Sequence, residues 1–169
     1  MNLPLKRLAA LTLTLVLTLS VSAQREQDFA TRFVKLYDKG PVKLERNTVS
    51  PLMMERILDL KTVEEDKSKQ ELLRDIRTVQ IVVSEDTLMA DSLYQLAQSL
   101  AQRNARRYQV YANDDERAVY LRKRNDWILE IVLISKRNNT FSIVALTGKM
   151  DDDFLAQLAE GPENGNNEE

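Results

Sequence analysis

From Tyr108 to Thr147 apolar and polar residues exchange places at nearly every second position, in four runs parted by very short breaks. The runs are Tyr108–Asn113, Arg117–Arg124, Trp127–Lys136 and Thr140–Thr147, and the breaks centre on Asp114-Asp115, Asn125-Asp126 and Arg137-Asn138-Asn139. A period of two is that of a strand with one face buried. Parallel neighbours need a crossover of about a dozen residues or more, so breaks this short admit only antiparallel hairpins. The second half of the chain is therefore expected to be a four-stranded antiparallel meander. Its third run, Trp127–Ile134, is apolar on nearly both faces, whereas the second alternates with Arg122 and Arg124 outward. The third run is expected to lie inside the sheet.

Upstream the period is mostly helical. Phe29, Phe33, Leu36 and Tyr37 share one helical face, so residues 26–37 read as an amphipathic helix ending before Gly40-Pro41. Val42-Lys43-Leu44-Glu45 alternates as a short strand, and Ser50-Pro51 opens a helix through Leu52, Met53, Ile57 and Leu58. Glu64–Lys67 reads as a surface loop, and a short helix around Leu72, Leu73 and Ile76 leads to a β-branched strand at Thr78–Val83. Residues 87–104 form the clearest helix, with Met89, Leu93, Leu96, Ala97 and Leu100 on one face. Gly148 is expected to end the last strand, and Asp151–Asp153 to cap a final helix bearing Phe154, Leu155 and Leu158. The architecture expected is α+β: the C-terminal meander plus one or two N-terminal strands in one sheet, with helices packed mainly on one face.

The N-terminus reads as an export signal. Lys6 and Arg7 precede an uncharged run from Leu8 to Leu19, followed by Ser20-Val21-Ser22-Ala23. As a helix the run would reach only about 18 Å, against a hydrocarbon core of roughly 30 Å, so cleavage after Ala23 is expected rather than anchoring. The division expected is residues 1–23 as signal peptide, 24–159 as one α+β domain and 160–169 as a disordered acidic tail. The location expected is periplasmic or secreted, with no transmembrane segment once the signal is removed.

The 169 residues contain no cysteine and no histidine. Without cysteine an exported domain has no disulfide framework and rests on its core. Without histidine there is no Ser-His or Cys-His nucleophile pair and no His-ligated zinc or haem. Carboxylate pairs, Ser-Lys dyads and oxygen-ligated metals remain open, but no serine has the Ser-x-x-Lys spacing. Gly148-Lys149 lacks the first glycine of a phosphate loop, because Ile143 stands there. The acidic triplet Asp151–Asp153 lacks calcium-loop spacing and reads as a helix cap. No catalytic residue, metal ligand or cofactor site is nominated.

Basic residues interleave with aromatics on the second and third runs: Arg117, Arg122, Lys123, Arg124, Lys136 and Arg137 beside Tyr120, Tyr108, Tyr111 and Trp127. A formal charge of −2 opposes a general polyanion binder, and nucleic acid is not expected as a partner outside the cytoplasm. Most of these charges read as a solvated sheet face opposite acids such as Glu130 and Asp126. The partner-binding candidates are Arg117, Arg122, Arg124, Lys136, Arg137 and Tyr120, toward an envelope protein or an anionic glycan. Tyr94 and Trp127 read as core aromatics.

The order of elements resembles domain-of-unknown-function family 4252, small exported or lipid-anchored proteins of Gram-negative bacteria. The likeness rests on Val42–Ile57 with its Ser50-Pro51 helix start, Val79–Ser84 as strand, and Trp127–Leu158. In that last stretch Thr140-Phe141-Ser142-Ile143-Val144-Ala145-Leu146, Gly148 and an acid-led helix look like the family's ending. The resemblance implies no catalytic residue. Many relatives carry an anchor cysteine after the signal, where this chain has Gln24, so a free periplasmic protein is expected. Missing catalytic side chains and small size lead to a non-enzymatic binding or interaction module. A carboxylate-dependent hydrolase and a small-ligand-binding protein of the envelope are the alternatives.

Overall fold

A computed structural model of the chain describes residues 27–38, 42–50, 53 and 74–160. Among them the order of elements is α1 (Phe29–Tyr37), β1 (Glu45–Val49), β2 (Ile76–Ser84), α2 (Ala90–Gln102), β3 (Gln109–Asn113), β4 (Arg117–Arg124), β5 (Trp127–Arg137), β6 (Thr140–Met150) and α3 (Asp152–Glu160). The fold is α+β, one antiparallel sheet in the order β1-β2-β6-β5-β4-β3. The export signal at 1–23, the loop at Glu64–Lys67, the helical positions Leu52, Ile57, Leu58, Leu72 and Leu73, and the tail beyond Glu160 lie outside the described residues. Among the described residues no helix is long and apolar enough to cross a membrane.

The meander follows from its turns. Asn138 and Asn139 both take positive φ, 51° and 59°, the paired left-handed conformation that lets a two-residue loop match the twist of its strands. Asn125 does the same at 54° in the preceding hairpin. In the first, the Asp114 carboxylate accepts from the backbone N–H groups of Glu116 and Arg117 at 2.8 and 2.7 Å, closing an Asx turn.

Register assigns the two faces. Tyr120, Val132 and Ala145 stand side by side across β4, β5 and β6, and one step along stand Leu121, Ile131 and Leu146. The first row belongs to the larger core, under α1 and α2, with Phe29, Phe33, Leu93, Ala97, Ile143 and Phe141. Rings pack closely there: the Phe33 centroid lies 4.8 Å from Tyr37 and 5.4 Å from Phe141, and Phe29 meets Tyr108 edge-on at 5.5 Å. The second row joins a smaller cluster, where Phe154 and Leu155 of α3 cover Ile128 and Met150. Successive side chains on a strand point to opposite faces, so α3 packs on the side of the sheet away from α1 and α2.

Five local expectations are corrected. The first N-terminal strand is Glu45–Val49, paired from Glu45↔Val83 to Val49↔Val79, and not Val42–Glu45. Val42 and Leu44 alternate because both pack into the larger core, which is burial without ladder pairing. Ile76 begins β2 rather than ending a helix, held by its pairing with Gly148. Gly148 does not stop β6, which runs on to Met150. Leu96 and Leu36 sit at the exposed margins of their helices, since the stripe of α2 is centred on Ala90, Leu93, Tyr94, Ala97, Leu100 and Ala101. Trp127 is 39% exposed instead of buried, because it stands at the mouth of a hairpin with Lys149 over its ring. Tyr94 is buried as expected, and its hydroxyl donates to the Asp114 carbonyl.

Candidate functional site: a cationic pocket at the bulged end of the sheet

Three neighbouring strand pairs slip register at the same level. The shifts fall between Ile76 and Thr78 in β2, between Arg122 and Lys123 in β4, and between Ile128 and Glu130 in β5. Arg77 of β2 is left out of the ladder between the pairs Ile76↔Gly148 and Thr78↔Thr147, and Leu129 of β5 is left out opposite Gly148 and Lys149 of β6. A bulge turns its extra residue away from the pleat and re-aims it. Here the re-aimed residues converge: Arg77, Leu129 and Lys149, with Asp28, Arg122, Thr147 and Gly148, line a pocket of about 450 Å³.

Its electrostatics are positive. Arg77 is exposed, and its side chain makes no ion pair among the described residues. The Lys149 ammonium lies 4.0 Å from the Trp127 ring centroid, a cation–π distance that leaves the nitrogen at the surface. Asp28 is the acid of the lining, and its oxygens are already engaged. One accepts from Thr31 N–H at 2.8 Å as the N-cap of α1; the other accepts from the Thr31 hydroxyl and from Gln80 Nε2 at 2.9 Å.

Beneath the pocket lies Glu130, fully buried in the interior strand β5. Its Oε1 accepts from the Phe29 N–H at 2.6 Å; its Oε2 accepts from the Tyr108 hydroxyl at 3.1 Å and Arg122 Nε at 2.9 Å. One carboxylate thus joins the start of α1, the end of the loop before β3, and β4. The sequence signal was an acid inside an otherwise apolar run, and Glu130 was expected on a solvated sheet face opposite basic residues rather than buried.

Burial, and next the Glu130 charge, hold the Tyr108 phenol well above its ordinary value of 10.0. Tyr94 and Tyr120 are also raised, by burial first. In each case the folded protein keeps a proton that the unfolded chain gives up, so this contribution is complete below pH of about 10 and is lost progressively above it. For Tyr108 the limiting slope is about 1.4 kcal/mol per pH unit. Urea midpoints between pH 8 and 11.5 should fall more steeply in the parent than in Tyr108→Phe, and parallel slopes would count against this assignment.

The six nominated residues do not form one patch. Arg117 stands at the start of β4, 70% exposed and paired with Asp114 at 3.4 Å. Arg137 lies nearby, and both line a second pocket of about 630 Å³ with Asp115, Glu116, Leu133 and Ser135. Lys136 reaches Asp91 of α2. Arg122 lies five residues along β4, about 17 Å from Arg117 at strand rise, in the cationic pocket. Arg124 is exposed beyond it. Tyr120 is 1% exposed, its side chain inside the larger core. Asp151 caps α3 by accepting from Phe154 N–H at 2.8 Å, and Asp152 binds Lys123 at 2.6 Å. Arg77 was missed, because nothing in sequence places it beside Lys149.

The two sheet edges differ. β1 is Glu-Arg-Asn-Thr-Val and carries two charges, whereas β3 is Gln-Val-Tyr-Ala-Asn and carries none. All five β3 residues are exposed, Val110 to 59% and Tyr111 to 51%, and Tyr111 is the extra residue of a bulge against β4.

A family model described as Domain of unknown function (DUF4252) matches residues 41–158. No curated protein and no solved structure matches the chain.

Proposed function

The chain belongs to the DUF4252 family across residues 41–158, and on that premise we propose that it is a non-enzymatic binding module of the cell envelope that takes up an extended segment of a partner protein along β3. The observation that carries this reading is the uncharged outer edge of β3, exposed at all five residues, with Val110 and Tyr111 standing out from it. A free edge presents a row of unpaired N–H and C=O groups, and sheets ordinarily blunt such edges with charge, as β1 does with Glu45 and Arg46. An added strand gains main-chain hydrogen bonds and sets its alternate side chains against the exposed ones. The bulge at Tyr111 keeps the docking run short, which favours a reversible contact over a permanent one. A binding role also agrees with how the described acids are used. Among them Asp28 and Asp151 cap helices, Asp114 closes a turn, and Glu130 ties the core together.

The reading places the mature chain outside the cytoplasm, beginning at Gln24 after signal removal. One experiment tests both parts. The full chain carrying a photoreactive amino acid at Tyr111, or at Asn47 on the β1 edge, is irradiated in intact cells and recovered by fraction. A processed chain starting at Gln24 in the envelope fraction, crosslinked at position 111 but not at 47, is the expected result. Adding a charge by Tyr111→Lys should then abolish an adduct formed through a neighbouring probe at Gln109. Equal crosslinking from both edges, or an unprocessed cytosolic chain, would overturn the reading.

A further inference from the structure

We propose that the bulged end of the sheet is a binding site for a phosphate monoester or diester group, held by Arg77 and Lys149 with Arg122 as a fixed wall. The inference does not draw on the β3 edge: Arg77 and Lys149 stand on β2 and β6, with β5 and β4 between them and β3.

Three observations converge on it. First, the backbone irregularities meet at the pocket: three register shifts on four adjacent strands, β2, β6, β5 and β4, fall at one level, and the three residues they leave without a ladder partner, Arg77, Leu129 and Lys149, all line it. A sheet that needed only to pack would have no use for coincident slips, each of which interrupts its ladder. Bulges concentrate where a side chain has to be re-aimed. Second, the charge is unbalanced where it faces outward. Arg122 is answered by Glu130 beneath it and Asp28 is engaged by Thr31 and Gln80, which leaves Arg77 and Lys149 as cations without an acid among the described residues. Third, the geometry suits a small oxyanion. A volume of about 450 Å³ accommodates a phosphate with a short organic group. The guanidinium of Arg77 offers paired N–H donors, Lys149 a point charge, and Leu129 an apolar wall for the ester carbon. At Gly148 the β6 backbone lies directly against the start of β2, with the Asp75 carbonyl where a Cβ would stand.

The shared chemistry, a phosphate ester, has two sources, a soluble metabolite and a lipid headgroup. Trp127 is the sole tryptophan and lies against Lys149, so its fluorescence reports occupancy directly. The purified chain is titrated with sn-glycerol 3-phosphate in one arm and with phosphatidylglycerol vesicles in the other, with phosphatidylcholine vesicles as the neutral reference. Backbone amide NMR shifts around Gly148 are followed in parallel, in case the indole is silent. A saturable response in either arm supports the proposal: response to the soluble ester identifies a metabolite site, and response to vesicles alone identifies a headgroup site. Arg77→Ala and Lys149→Ala should each weaken binding roughly tenfold or more, while Arg124→Ala, outside the pocket, leaves it unchanged. Both substituted side chains are exposed, so unfolding midpoints should stay at the parent value and keep the comparison interpretable. No saturable response in either arm, or equal loss in all three variants, would overturn the proposal.

Discussion

Glu130→Ala is expected to lower folding stability by about 3–5 kcal/mol, the cost of leaving a buried charge without its partner. The size follows from what the carboxylate holds. Glu130 is fully buried and Arg122 is 14% exposed, so removal takes a carboxylate at 2.9 Å from a guanidinium that water can barely reach. It also strands the Phe29 N–H, one of the four donors at the start of α1 that have no partner within the helix, and the buried Tyr108 hydroxyl. Glu130→Gln preserves the shape and one acceptor but loses the charge, and should fall between parent and alanine. The pair Glu130→Leu with Arg122→Leu should recover part of the loss, since replacing both members of a buried ion pair by apolar groups is often nearly neutral. Urea unfolding followed by Trp127 fluorescence measures all of these. The damage should also be local at first: hydrogen exchange in α1 should accelerate before exchange in β5 and β6, because α1 loses a donor's partner while the central strands keep theirs. An alanine variant within about 1 kcal/mol of the parent would mean that the carboxylate is not the hub its bonds suggest.

That hub marks a limit of the sequence reading. What was legible rested on local signals. The asparagines and aspartates at the hairpin turns, the period of two from Tyr108 onward and the stripe on α2 each act within a few residues, and each marked its element. Val42-Lys43-Leu44-Glu45 misled because alternation reports burial on one side, and core anchoring buries Val42 and Leu44 without a strand partner. The basic cluster misled for a related reason. Arg117, Arg122 and Lys136 are close in sequence order, yet strand rise and side-chain alternation send them to different ends and faces. The pocket was illegible altogether. A bulge depends on the register between strands far apart in sequence, and no local pattern announces that Arg77 and Lys149 face one another. Gly148 carried a readable sign and received the wrong meaning, that of a strand end.

The correct meaning of that glycine yields the second large effect. Gly148→Ala should destabilise the protein by roughly 3 kcal/mol, the upper end of what overpacking ordinarily costs, because the intruding methyl group has only backbone to push against. A Cβ built at this position would lie 2.0 Å from the Asp75 carbonyl oxygen, 3.0 Å from its carbon and 3.1 Å from Ile76 Cα. A flexible side chain could swing aside from such a contact; a carbonyl at the beginning of β2 moves only if the strand moves. The Ile76↔Gly148 pairing should therefore open, and with it the register shift that releases Arg77 from the ladder. Gly148→Val should be worse still, and the loss should appear as faster hydrogen exchange at the start of β2 while β4 and β5 retain protection. The same substitution separates two explanations of the glycine. If residue 148 were small only for lack of constraint, alanine would be tolerated and the unfolding midpoint would not change. If it is small because the backbones of β2 and β6 must nearly touch to seat Arg77 beside Lys149, stability and the geometry of the pocket should fail together.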